Sequence, residues 1–193
     1  MEDDRKLFVS EAKIGEEAPL FEMDAVLPKK EGLDRLGIIN MDKLLNEGKW
    51  IVLYFYPLDF TFVCPTEIRR FNELYPKFKE LGAEVIAVST DSTYSHLAWQ
   101  EQELGKLQHP HASDKAQYVS ESYGVLDIEK GISSRATFII APNGILKHMS
   151  INHGEAGRNV DEVLRTLEVF KNEVEGKLVP CGWQPGTDFL TKN

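Results

Sequence analysis

Apolar positions change their spacing several times along this chain, and each change marks an element. Residues 50–56 (WIVLYFY) form a near-continuous apolar, aromatic and β-branched run that stops at Pro57, the pattern of a central strand covered on both faces. From Pro65 onward the apolar side chains fall at Ile68, Phe71, Leu74, Tyr75, Phe78 and Leu81, one face of a helix that Gly82 closes. Pro76 lies inside that pattern and predicts a kink or interruption, because it cannot donate to the preceding turn. Residues 84–89 (EVIAVS) read as a second buried strand, so strand, helix and strand make a right-handed βαβ unit with parallel strands.

Elsewhere the signals are shorter. Residues 41–45 predict a short helix ended around Gly48, and Ser92 or Thr93 can cap a helix running through Trp99 to Leu104. Residues 105–116 read as a loop, followed by a short helix over 117–123 that ends at Gly124. Residues 136–141 and 145–151 predict two strands joined by Pro142-Asn143-Gly144, in which Asn-Gly is a strong hairpin signal. Asn159 with Glu162 resembles a capping box, and Val160, Val163, Leu164, Leu167, Phe170 and Val174 mark an amphipathic helix behind it. Residues 1–37 are mixed, with an exposed turn expected at 28–32. The order predicts an α/β domain, a central mixed β-sheet flanked by helices, over residues 1–175, with an irregular tail over 176–193.

Composition narrows the function. With 193 residues, 42% of them hydrophobic and 27% charged, the chain can build one substantial core. A net charge of −9 argues against nucleic acid, whose phosphates call for Lys and Arg. No apolar run approaches the length of a membrane span. The N-terminus, Met1-Glu2-Asp3-Asp4, leads into no apolar signal core, so a cytoplasmic location is expected. No phosphate-cradling glycine motif is present and no cofactor is expected. His109 and His111 lack further ligands nearby in sequence and read as loop surface, not metal ligands. His148 and His153 read as exposed or capping groups, and Trp99 as core.

Candidate chemistry centres on residues 55–68 (FYPLDFTFVCPTEI). Pro65 suits the first turn of a helix, which places Cys64 at a helix N-terminus. Unpaired N–H groups and the positive end of the macrodipole favour an anion there, and a cysteine so placed tends to be the reactive thiolate. A lone cysteine is otherwise most simply a small buried hydrophobe. Strand, Pro57, Thr61, Cys64 and helix form a much narrower specification.

This stretch resembles the active-site signature of the peroxiredoxins, closest to the typical two-cysteine class that includes the alkyl hydroperoxide reductase C subunits and thiol-specific antioxidant proteins. Weaker similarity runs from about Gly15 to Gly186. The resemblance implies a thioredoxin-like fold and a thiol-dependent peroxidase reducing hydrogen peroxide and organic hydroperoxides. Cys64 would then be the peroxidatic cysteine, Pro57 its shield and Thr61 a hydrogen-bonding partner at the sulfur and peroxide. Residues 131–135 (GISSR) are similar to the family segment carrying an active-site arginine, which selects Arg135 among 22 Lys and Arg residues. Glu67 and Arg158 resemble the supporting pair that orients it. Implied partners are a thioredoxin-like or flavoprotein disulfide reductase as electron donor, and a second copy in a homodimer, with decamers of five dimers as a further level.

Cys181 is the second of only two cysteines. Residues 180–186 (PCGWQPG) resemble the C-terminal resolving motif, but the motif's cysteine position falls on Val179, two residues earlier. Cys181 therefore either resolves Cys64 of a partner subunit or is a bystander to an external thiol. Trp183 reads as an anchor for the tail. Residues 102–106 (QELGK) depart from the Gly-Gly-Leu-Gly loop of overoxidation-sensitive members, and seven residues follow Gly186. Looser packing over the active-site helix, and resistance of Cys64 to overoxidation, are the corresponding expectations.

Overall fold

The longest apolar runs take the centre of the sheet. A computed structural model describes residues 12–28 and 31–191, and in it β3 (Trp50–Phe55) and β8 (Arg135–Ile140) are buried at every position. β4 (Ala83–Ser89) is likewise buried throughout. Around them lie β1 (Glu22–Val26), β2 (Leu36–Asn40), β5 (His111–Ser113) and β9 (Leu146–Asn152). The seven strands order as β2-β1-β5-β4-β3-β8-β9. β3, β4 and β5 are parallel to one another, and the remaining pairs are antiparallel. β6 (Leu126–Asp127) and β7 (Ile132–Ser133) form a separate small ribbon.

Helices cover both faces because successive strand side chains point to opposite sides. Ile51, Leu53 and Phe55 pack with Met41 and Leu44 of α1 (Met41–Asn46) and with Val119 of α4 (Tyr118–Ser122). Val52, Tyr54 and Tyr56 pack on the opposite face with Ile68, Phe71 and Phe78 of α2 (Cys64–Glu80) and Leu167 of α5 (Val160–Val174). Phe71 stacks on Tyr54 at 4.0 Å between ring centroids; truncating such a buried ring costs about 3–5 kcal/mol. α2 is therefore fixed to the strand that precedes it. α3 (Thr93–Trp99) sits beyond β4 and runs into a π-helical turn over Gln100–Leu104.

Several expectations meet corrections here. Pro76 does not interrupt α2, which continues to Glu80. The Asn72 carbonyl that Pro76 cannot reach takes a hydrogen bond from Gln108 Nε2 at 2.9 Å instead, and Asn72 Oδ1 accepts from the Gln108 N–H at 2.7 Å. The helix expected through Leu104 does reach it, its last turn π-helical, and Arg69 Nη2 of α2 donates to the Glu103 carbonyl there at 3.0 Å. Strands β1 and β2 occupy the stretch read as mixed, and β5 lies inside the stretch read as loop. Asn159 caps α5 as expected, accepting from the Asp161 and Glu162 N–H groups. Glu162, however, turns to Arg165 at 2.6 Å and does not reciprocate. The turn expected at 28–32 falls partly outside the described residues.

Candidate active site

Strand β3 delivers the chain to the site and α2 carries it away. Tyr56 closes the strand, its N–H bonded to the Val88 carbonyl at 3.0 Å and its own carbonyl accepting from Ser133 Oγ at 2.9 Å. Residues 57–63 then turn sharply, and Phe60 adopts φ 54°, a left-handed conformation that is strained for a bulky side chain. Thr61 Oγ1 donates across this turn to the Leu58 carbonyl at 3.0 Å, which leaves its oxygen lone pairs free to accept. Cys64 is the first residue of α2, with Pro65 behind it and no side chain capping the helix end. Cys64 thus stands at the positive end of α2 and is 1% exposed.

Arg135 begins β8, the antiparallel neighbour of β3. Its Nη1 donates to Cys64 Sγ at 3.4 Å and to Glu67 Oε2 at 2.6 Å. Glu67 Oε1 accepts from Arg158 twice, from the backbone N–H at 2.7 Å and from Nε at 3.0 Å. Arg158 is held in turn by the Phe55 carbonyl, by the Ala136 carbonyl at 2.6 Å and by Thr137 Oγ1 at 3.0 Å. Its guanidinium lies 5.2 Å from the centroid of the Tyr54 ring, within reach of a cation–π contact.

Glu67, Arg135 and Arg158 are thus buried charges that pair and hydrogen-bond among themselves, the condition under which buried charge is tolerated. Burial opposes the charge on Arg135, but Cys64 and Glu67 outweigh it and push its pKa above the ordinary guanidinium value. Burial is the larger influence on Arg158 and draws its pKa down. Arg135 Nε is buried and has no partner among the described residues.

The site therefore sets a fixed cation against the Cys64 sulfur at the start of a helix. Against this geometry the comparisons with known proteins decide the family. The model of the AhpC/TSA family matches residues 14–149. The chain is 45% identical over 187 residues to a putative peroxiredoxin, YkuU, of Bacillus subtilis, covering 94% of this chain and 100% of that one. This chain is a member of the AhpC/TSA family of peroxiredoxins.

As such it is an oxidoreductase, a thiol-dependent peroxidase. A chloroplastic 2-cysteine peroxiredoxin of Chattonella marina is 44% identical over 185 residues, with 92% of this chain and 91% of that one covered. The reduced 2-Cys peroxiredoxin of Plasmodium vivax superposes with a TM-score of 0.84 at 36% identity, covering 91% of each chain. The fold of this peroxiredoxin is accordingly thioredoxin-like.

Of the residues singled out from sequence, the structure brings Cys64, Glu67, Arg135 and Arg158 into one hydrogen-bonded group, with Pro57 and Thr61 in the loop leading to it. Cys181 stands apart on the tail, exposed, and neither cysteine is in a disulfide. Leu178 and Leu190 bridge the two arms of that tail. Between them Trp183 is buried: Arg165 Nη1 donates to its carbonyl at 2.8 Å, and its ring stacks on Phe189 at 5.6 Å.

Sequence reading missed a second polar cluster beneath the loop. His109 and His111, expected at the surface, are fully buried, and so is His96. Asp59, His96 and His111 bring ligand-type atoms within 4.8 Å of one another. They are nevertheless a poor metal site, because Tyr56 OH already sits on Asp59 and His111, and Gln100 Nε2 contacts the other His111 nitrogen at 3.1 Å. Helical spacing held a signal for this cluster: Ser92 as cap puts His96, Trp99 and Gln100 on one face.

Proposed function

We propose that Cys64 is the sulfur that reduces the peroxide. Its sulfur, as thiolate, attacks one oxygen of R–O–O–H in line with the O–O bond. A new S–O bond forms, the O–O bond breaks with its electron pair, and the leaving alkoxide takes a proton to depart as alcohol or water. Cys64 is left as a sulfenic acid. The observation that carries this reading is the contact of Arg135 Nη1 with Cys64 Sγ at 3.4 Å at an uncapped helix N-terminus. Both place positive charge where an anionic sulfur and a departing oxygen need it. In this reading the Arg135 donors not engaged by Glu67, with a lone pair of Thr61 Oγ1, align the substrate. Burial of Cys64 to 1% exposure favours hydrogen peroxide and slender alkyl hydroperoxides over bulky ones.

For the second half of the cycle we propose Cys181, whose exposure leaves it open to a second sulfur. Its thiolate attacks the Cys64 sulfenic acid of a partner subunit, forming a disulfide and releasing water. An external dithiol of the thioredoxin type, or a flavoprotein disulfide reductase, then returns both sulfurs to thiols by exchange. Cys64→Ser tests the first step. Peroxide consumption in the presence of a thiol reductant is expected to fall to background, and consumption at the wild-type rate would overturn the assignment.

A further inference from the structure

The loop that bears Pro57 and Thr61 is pinned at one point, and that point is charged. Asp59 lies midway between Pro57 and Thr61, and its side chain is 1% exposed. Its carboxylate accepts three hydrogen bonds: from Tyr56 OH at 2.6 Å, from Ser95 Oγ at 2.7 Å, and from His96 Nδ1 at 2.9 Å. The Asp59 N–H donates to Asp91 Oδ2 at 2.9 Å.

Hydrogen-bond directions around this carboxylate are nearly all determined. Gln100 Oε1 accepts from Arg35 Nη2 at 2.6 Å and from the Leu107 N–H at 3.1 Å, which fixes the amide orientation. Gln100 Nε2 therefore donates to His111 Nδ1 at 3.1 Å. A neutral His111 must then carry its proton on Nε2 and donate a hydrogen bond to the Tyr56 oxygen, and the Tyr56 hydroxyl donates in turn to Asp59. His96 is different. Its Nδ1 faces Asp59 at 2.9 Å and the Tyr56 hydroxyl, whose proton is already given to Asp59, at 3.4 Å, and its Nε2 faces the Ala112 carbonyl at 3.1 Å, so with Asp59 ionised each ring nitrogen meets an acceptor. Opposite an ionised Asp59, both bonds form when both nitrogens bear protons, which makes the ring an imidazolium.

We propose that Asp59 and His96 form a buried ion pair whose role is to position the peroxidatic loop. Asp59 immediately precedes Phe60, which is held at φ 54°. Such backbone persists only where its surroundings over-determine it. The triple-bonded carboxylate on one side, and the Thr61 to Leu58 bond across the turn, do so here. The pair touches neither Cys64 nor any atom of the reacting group; it acts through the loop. Neutral His111, stacked on His96 at 3.8 Å between ring centroids, completes the pocket together with Tyr56 and Ser95. The proposal rests on Cys64 as the reacting sulfur.

Its test has two arms. Long-range proton–nitrogen NMR on the wild-type protein, assigned with His96→Gln, is expected to show both ring nitrogens of His96 protonated at neutral pH. His111 is expected to be neutral with its proton on Nε2. A neutral His96 ring overturns the ion pair. In the second arm, Asp59→Asn is mixed with hydrogen peroxide in stopped flow, and separately with iodoacetamide, which needs the thiolate but no aligned O–O bond. Oxidation of Cys64 is expected to slow about tenfold or more, the scale of a small misplacement of reacting groups, while alkylation holds or rises. Equal slowing of both reactions, or unchanged oxidation, overturns the positioning role. Should Asp59→Asn fail to fold, Ser95→Ala, which removes one of the three bonds, is expected to show the same split with a smaller drop. A wild-type oxidation rate no greater than that of free cysteine would sink the reading of Cys64 and leave the NMR result standing.

Discussion

Arg135 meets two acceptors through a single nitrogen, Cys64 Sγ at 3.4 Å and Glu67 Oε2 at 2.6 Å, and this sharing determines what its replacement does. Arg135→Met keeps the length of the side chain and removes every donor. Peroxide oxidation of Cys64 is expected to fall about a hundredfold, the usual effect of deleting one preorganised donor at a developing charge. Arg135→Lys is expected to recover little, since an ammonium cannot face the sulfur, reach Glu67 and leave a free N–H in fixed geometry. Rapid-mixing fluorescence measures both, and wild-type speed in the Met variant would remove Arg135 from the chemistry. Sequence pattern alone could not pick this arginine; similarity of residues 131–135 to a known segment did. The Asp59–His96 pair stayed hidden for a physical reason. A carboxylate and an imidazole 37 residues apart carry no joint signal until α3 packs beside the loop.

At the scale of elements, the strongly periodic segments were legible and the short ones were not. β3, α2 and β4 announced themselves because their apolar spacing is set by burial, which the sequence must encode residue by residue. β5 has three residues and begins with a histidine, so nothing local distinguishes it from a loop; it is a strand because β1 and β4 flank it. His109, just before it, is buried with its Nε2 unpartnered among the described residues and its Nδ1 on the Pro110 carbonyl. Burial lowers its pKa from 6.5 to about 4. Between those values the unfolded chain binds a proton that the folded chain refuses. Stability contributed by neutral His109 is thus full above about pH 6.5 and is lost as pH falls towards 4, by about 3 kcal/mol in total. His111 is also held neutral, chiefly by burial and then by the charge of His96, and adds a loss of the same sign. Urea titrations at a series of pH values from 7 to 4.5 are expected to show this decline. His109→Leu should make it shallower, and an unchanged slope would show that His109 titrates freely in the fold.

At the scale of the whole molecule, the chain divides its two cysteines between a packed interior and an exposed tail. Cys64 is packed into the core under α5, whereas Cys181 stands in solvent beside the buried Trp183. A disulfide requires Cα atoms within about 7 Å of each other, so bonding the two demands that the first turn of α2 open and that a tail come to it. The tail is clipped by the Leu178–Leu190 bridge and the Arg165 bond to Trp183. These contacts anchor the tail on α5, and the proposed pairing of Cys181 with Cys64 of a second copy makes a direct prediction. Non-reducing electrophoresis after one equivalent of peroxide is expected to show a covalent dimer in the wild type and none in Cys181→Ser. Trp183→Ala, which frees the tail without touching either sulfur, is expected to slow dimer formation several-fold, because a tethered thiol loses effective concentration when its anchor is cut. A dimer surviving in Cys181→Ser, or a wild type that stays monomeric while turning over with an external thiol, would make Cys181 a bystander and Cys64 the sole cysteine of the cycle.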